Sequence, residues 1–198
     1  MINDIQKKLK TTAILFGAIY IPMWAVFIIT NIIPGNAIKL FFGVQPRTFS
    51  WTQPFAIIGS WLPHASYTHI INNSIMLFAL LLSVCLIERR PIRLTAILIA
   101  FSGLLTWLLG SNHSLHIGAS GLVFALFGYI CSSLVLSRKW AYLIPILFFS
   151  LYYGASYFTS MLGGLIPNQY ISFAAHFGGL ISGIITGFFY ERIKKQKI

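Results

Sequence analysis

The chain has 198 residues, of which 57% are hydrophobic and 9% are charged, with a formal net charge of +11. A soluble globular domain carries about 25% charged residues, so a water-facing surface is excluded and lipid is this chain's main solvent. The basic excess does not point to nucleic acid, because Lys and Arg cluster at the ends of apolar runs, where they serve as topology signals and anionic-lipid contacts.

Lipid cannot satisfy backbone polar groups, so a spanning segment is a helix or part of a closed barrel. Barrel strands alternate apolar and polar residues. The runs here are continuously apolar over about 20 residues, enough for a helix rising about 1.5 Å per residue to cross the bilayer core. The expected fold is therefore all-α, a single polytopic membrane domain over residues 1–198.

Six spans are expected. The first covers about 12–33 and ends at Pro34-Gly35. The segment before it is polar and basic and the run is long enough to span, which argues against a cleaved signal. An aromatic connection from Pro34 to Pro63 follows, with Phe41, Phe42, Trp51, Phe55 and Trp61, and is expected to lie in the outer interface. The second span covers about 64–87 and ends at Glu88-Arg89-Arg90. The third covers about 94–109. The fourth covers about 120–136 and ends at Arg138-Lys139. The fifth covers about 141–162 and the sixth about 172–190. With six spans, twelve of the fourteen Lys and Arg residues fall on one side, leaving only Lys39 and Arg47 on the other. The positive-inside rule then makes both termini cytoplasmic. Cys85 and Cys131 lie in apolar stretches without metal spacing and read as buried apolar residues.

Polar residues at membrane depth are costly and each needs a reason. His69 and Asn73 are four apart on one helix face, with His64 near the interface before them. A structural reading, in which they hold neighbouring helices together, suits one such residue better than three within so short a stretch. Gly118-Ala119-Ser120-Gly121 opens the fourth span. A lone Ser there reads as an N-cap. Gly118, however, lets the backbone turn sharply and expose N–H groups, and a helix N-terminus favours a developing negative charge. An acyl-transfer oxyanion requires such donors. His176 lies in Ala175-His176-Phe177-Gly178-Gly179, early in the sixth span. Ala175, Gly179, Gly183 and Gly187 form a small-residue face, as do Gly121, Ala125 and Gly128 on the fourth span, and such faces let helices approach closely. If they meet, Ser120 and His176 come together, and a neutral imidazole takes the serine proton. The second, fourth and sixth spans all start on the outer side, so all five candidate groups fall in one layer.

The acids narrow the chemistry. Asp4, Glu88 and Glu191 are the only three, and all are expected on the cytoplasmic side. A Ser-His-Asp triad is excluded, leaving a Ser-His dyad. An aspartyl mechanism and an H-E-x-x-H metal site are also excluded. No cofactor or metal is implied.

These residues resemble the rhomboid family of intramembrane serine proteases from about residue 50 onward. The likeness rests on His64-x4-His69-x3-Asn73, on Gly118-x-Ser120-Gly121 with Ala125 and Gly128, and on Ala175-His176-x-x-Gly179-x-x-x-Gly183. It implies a six-transmembrane-helix bundle of the compact prokaryotic type in a bacterial cytoplasmic membrane, its active site opening to the outer side. Ser120 would be the nucleophile and His176 the general base and then acid. His69, Asn73 and Gly118 would help form the oxyanion site, and His64 would organise water or hydrogen bonds at its edge. Gly121, Phe124, Ala175 and Gly179 would support the pair. Substrates would be single-pass transmembrane proteins cut near the outer boundary, and the fifth span with its following loop would be where they enter. Two departures stand out. Phe55-Ala56 replaces a frequent Trp-Arg, which leaves open what bonds the first loop internally. Phe124 replaces a frequent Tyr that stacks on the histidine. Glu88 matches a structural Glu at the inner end of the second helix.

A non-catalytic rhomboid-like protein that binds membrane partners is the alternative, although such proteins typically lack the Ser or the His. A histidine-lined transporter needs a polar path through the inner half, where the spans are almost wholly apolar.

Overall fold

The computed structural model describes residues 2–33, 35–162 and 172–195, with side chains described except at 2, 153–162, 191 and 193–195. Within them the order is α1 (Ile2–Ile32), α2 (Ala37–Phe42), α3 (Gln53–Gly59), α4 (Tyr67–Ile87), α5 (Pro91–Leu109), α6 (Ser120–Ser137), a 3-10 turn at Trp140–Tyr142, α7 (Leu143–Leu162) and α8 (Phe173–Lys195). Helices α1, α4, α5, α6 and α8 are each long and apolar enough to cross a membrane, and α7 adds a further apolar helix. The chain is an all-α polytopic membrane protein.

Burial identifies α6 as the centre. From Ser120 to Ile130 each of its residues is buried, as are Ser132 and Ser133. Helices α4, α5, α7 and α8 pack around it, and α1 packs outside α4. Only one stripe of α1 is buried, Leu15, Ile19, Met23 and Phe27, four residues apart along the face toward α4, while Ile14, Ile21, Ile28 and Ile32 stay exposed to lipid. Polar bonds fix that pairing: Tyr20 Oη donates to Ser74 O at 2.5 Å and Trp24 Nε1 to Ser74 Oγ at 3.2 Å.

The two small-residue faces of α6 and α8 do meet. A Cβ added to Gly179 would strike Gly121 O, one added to Gly183 would strike Ala125 O, and one added to Gly128 would strike Leu180 O. Backbone therefore lies against backbone along the pair. Close approach of this kind gives van der Waals packing that larger side chains forbid, and in lipid such packing drives association in place of the hydrophobic effect.

The ends of the bundle differ in charge. At one end Lys8 Nζ donates to Leu86 O at 3.1 Å. Glu88, only 3% exposed, is paired there with Lys139 and accepts from Tyr142 Oη at 2.8 Å. Arg89, Arg90, Arg93 and Arg138 belong to the same end. The other end carries the five histidines, His64, His69, His113, His116 and His176.

Several boundaries differ from the sequence reading. Helix α1 starts at Ile2 rather than near Thr12, so the basic segment is helical. Helix α5 starts at Pro91, whose fixed φ and missing N–H suit a first helical position. Helix α4 starts at Tyr67, because Ser66 is extended and its Oγ accepts from His69 N at 3.2 Å. His64 thus precedes the helix instead of opening it. The 34–63 connection contains α2 and α3. The loop after α7, including Gly163, Gly164, Pro167 and Asn168, lies outside the described residues, as do the side chains of 153–158.

Candidate active site

The connection before α4 is bonded internally without a Trp-Arg pair. Gln45 N donates to Gln53 Oε1 at 3.1 Å, Trp107 Nε1 to Thr48 O at 3.2 Å and Arg47 Nη2 to Gly110 O at 2.9 Å. Val44 and His116 form an isolated antiparallel bridge, with N···O distances of 3.0 and 2.9 Å. Gly118 N donates to Ser60 O at 2.8 Å. The loop leading into α6 is therefore stitched to the first connection on both sides of Ile117.

His64 is fully buried and fixes the start of α6. Its Nε2 accepts from Asn73 Nδ2 at 3.0 Å and from Ala119 N at 3.2 Å, so Nδ1 carries the hydrogen and donates to Leu62 O at 3.1 Å. Burial, reinforced by the neighbouring His69, pushes this imidazole down to about 3, and the neutral ring can serve as acceptor at neutral pH. Ala119 immediately precedes Ser120. One histidine thus positions the backbone beside the candidate nucleophile, and one N–H of Asn73 is used in holding that histidine.

Gly118 has φ +109°, a conformation that a side chain would strain. It also lies against His69: an added Cβ would stand 2.7 Å from Nε2 of that ring. The His64 and His69 rings pack edge to face at 4.9 Å. His64, His69, Asn73, Gly118 and the start of α6 form one connected group.

Ser120 and His176 are 7% and 4% exposed. The interlock of α6 and α8 sets them on facing turns: a Cβ on Gly121 would meet Ala175 O at 3.6 Å, and one on Gly179 would meet Phe124 Cβ at 3.1 Å. Phe124, one turn beyond Ser120, stacks on the His176 ring at 4.4 Å and 22°. The ring face is covered without any need for a tyrosine hydroxyl.

Beside this group a cavity of about 20 Å³ is lined by Ser60, Ser102, Thr106, His116, Gly118 and Gly121. That is room for a single water among polar groups. Burial pushes the His116 imidazole below its ordinary range. His116, Ser102 and Thr106 are not among the residues that the sequence marks. The available signals were weak: His116 stands four residues before Ser120, and Ser102 and Thr106 are four apart on one apolar helix. Among the described residues no cluster of three His, Cys, Asp or Glu could hold a metal ion.

Comparison with known proteins agrees in extent with this arrangement. A family model described as Rhomboid domain matches residues 48–193. Uncharacterized proteins of Mycobacterium tuberculosis and Mycobacterium bovis are each 29% identical over 153 residues, covering 69% of this chain and 61% of theirs. An uncharacterized protein of Mycobacterium leprae is 30% identical over 136 residues, covering 63% of this chain and 51% of its own. The match thus spans between half and two thirds of these relatives. The family model covers His64, His69, Asn73, Gly118, Ser120, Phe124 and His176 but not Val44, Gln45 and Arg47 of the first connection, and the chain belongs to the rhomboid family, whose members are generally intramembrane serine proteases.

Proposed function

We propose that the chain is an intramembrane serine endopeptidase that cuts single-pass transmembrane proteins near the outer membrane boundary with a Ser120-His176 dyad. The reading is carried by the close packing of α6 on α8, which sets Ser120 and His176 on facing turns with Phe124 stacked on the imidazole.

In this mechanism Ser120 Oγ attacks the scissile carbonyl while His176 takes its proton. The tetrahedral oxyanion is received by the Ser120 backbone N–H with His69 and the remaining Asn73 N–H, beside Gly118. His176 then gives its proton to the leaving amine and an acyl-enzyme remains. Water, deprotonated by His176, attacks the ester, and as the acyl–Oγ bond breaks to release the new carboxyl terminus, His176 returns the proton to Ser120 Oγ. His64 acts by holding Ala119 and Asn73. The one-sided distribution of Lys and Arg supports cytoplasmic termini and a site opening outward, in a bacterial cytoplasmic membrane. A helical substrate segment unwinds locally to expose its peptide bond, so helix-breaking residues in substrate favour cleavage.

The test is co-reconstitution in liposomes with a single-pass reporter protein carrying Gly and Pro near its outer boundary. Cleavage by the wild type and none by Ser120→Ala or His176→Ala supports the reading. Equal cleavage by wild type and Ser120→Ala contradicts it, and binding of folded wild type to the reporter without cleavage would favour a non-catalytic partner protein.

A further inference from the structure

His116 takes no part in the chemistry above, yet it is 8% exposed and hydrogen-bonded at both ring nitrogens. Nδ1 lies 2.5 Å from Ser172 Oγ, and Nε2 lies 2.7 Å from Ser114 Oγ. The outer ends of this chain set its direction. Ala175 N donates to Ser172 Oγ at 3.1 Å, so the Ser172 hydroxyl hydrogen is available to Nδ1. Ser114 Oγ donates to Ser111 O at 2.5 Å, so it accepts from Nε2–H. Every donor then has one acceptor, and the ring is the neutral Nε2–H tautomer.

The two ends of this chain belong to different parts of the site. Ser172 precedes α8 and caps it, and its carbonyl accepts from His176 N at 3.1 Å. The His116 backbone is paired with Val44 and leads through Gly118 to Ser120. Gly110 leaves the imidazole its space, since a Cβ there would stand 2.8 Å from Nε2. A single ring therefore ties the first turn of α8, which bears His176, to the loop that presents Ser120.

We propose that His116 is a positioning residue whose Nδ1, through the Ser172 hydroxyl, sets the first turn of α8 and so the placement of His176 against Ser120. The proposal rests on the dyad reading. It requires an acceptor at the Nδ1 position, which an asparagine carbonyl reproduces and an aliphatic side chain of similar bulk does not.

The experiment measures the maximal inactivation rate and the half-saturating concentration of a fluorophosphonate probe on the full chain in liposomes. Alongside, it measures hydrogen exchange at the Ala175 and His176 amides. His116→Leu and Ser172→Ala are each expected to lower the maximal rate by about 10²-fold, as a misplacement near 1 Å does, at little change in half-saturation. The double variant is expected to fall no further than either single variant. His116→Asn is expected to recover most of the rate, and exchange at the two amides should rise in the Leu and Ala variants only. Wild-type rates in folded Ser172→Ala, multiplicative losses in the double variant, or an Asn variant as slow as Leu would each overturn the proposal. Should His116→Leu fail to fold, Ser172→Ala beside His116→Asn decides the matter. Labelling that survives in Ser120→Ala would remove the dyad reading instead. The exchange pattern then judges the tie by itself: unchanged protection in Ser172→Ala overturns it.

Discussion

Gly183→Ala tests the α6–α8 interlock with the smallest possible change. A Cβ at Gly183 would stand 2.7 Å from Tyr129 N and 2.9 Å from the Ala125 carbonyl carbon, with Ala125 O nearer still. Real Cβ atoms essentially never come within 3.0 Å of such atoms, and what they meet here is helix backbone, which cannot rotate away. The helices must part locally by on the order of 1 Å, and displacement of that size at a reacting pair costs about 10²-fold in rate. Gly183 lies two turns beyond His176 on α8, so the separation acts on the dyad while touching neither member. Overpacking of this kind also costs about 1–3 kcal/mol of stability. Gly17→Ala is the control, because its nearest new contact is the end of the Ile21 side chain at 3.7 Å. The assay is reporter cleavage in liposomes, with helicity and thermal unfolding measured in parallel. The expected result is a loss of about two orders of magnitude in Gly183→Ala and none in Gly17→Ala. Wild-type rate and stability in Gly183→Ala would refute the claim that close backbone packing positions the dyad.

Other substitutions probe separate links. Asn73→Ala removes a partner of His64 and the proposed oxyanion donor, and cleavage should fall by about 10–10²-fold; an unchanged turnover number would exclude both roles. Lys139→Met removes one partner of the buried Glu88 carboxylate, and loss of one partner of a buried pair costs about 3–5 kcal/mol. Thermal unfolding should show this, with a smaller loss when Glu88→Gln is combined with it. Phe124→Ala uncovers the His176 ring and should cut cleavage more than Phe124→Tyr, as initial rates would show. The pH dependence follows from His64, held near 3 when folded against about 6.5 when unfolded. Between those values the unfolded chain binds more protons, so stability rises with pH across that window and levels off above about 7. Unfolding midpoints from pH 4 to 8 should follow this course in wild type and rise less steeply in His64→Asn, where the buried His116 still contributes in the same sense.

The parts of the fold visible in the sequence were those written by lipid. Long apolar runs and one-sided Lys and Arg located the spanning helices, because a bilayer tolerates few alternatives. The small residues of 121–128 and 175–187 marked the α6–α8 contact for the same reason, since only such residues let backbones touch. Local bonding was less legible. Nothing in the periodicity separates His64 from the following span; the extended Ser66 does so. Helices α2 and α3 are too short for a periodic signal, and the basic segment at Lys7–Lys10 continues α1 despite its polarity. His116 carries no local signal, because its hydrogen-bond partner Ser172 stands 56 residues away. The bonds of Gln53, Trp107 and Arg47 that hold the first connection are equally non-local, and no family pattern at Phe55-Ala56 pointed to them.

The most direct test of the account is to label the detergent-purified protein with a fluorophosphonate and locate the adduct by peptide mass spectrometry. The account predicts one phosphonylated residue, Ser120, with labelling lost in His176→Ala although that variant keeps its helicity. An adduct elsewhere, or an unlabelled but folded wild type across several detergents and lipids, would contradict it.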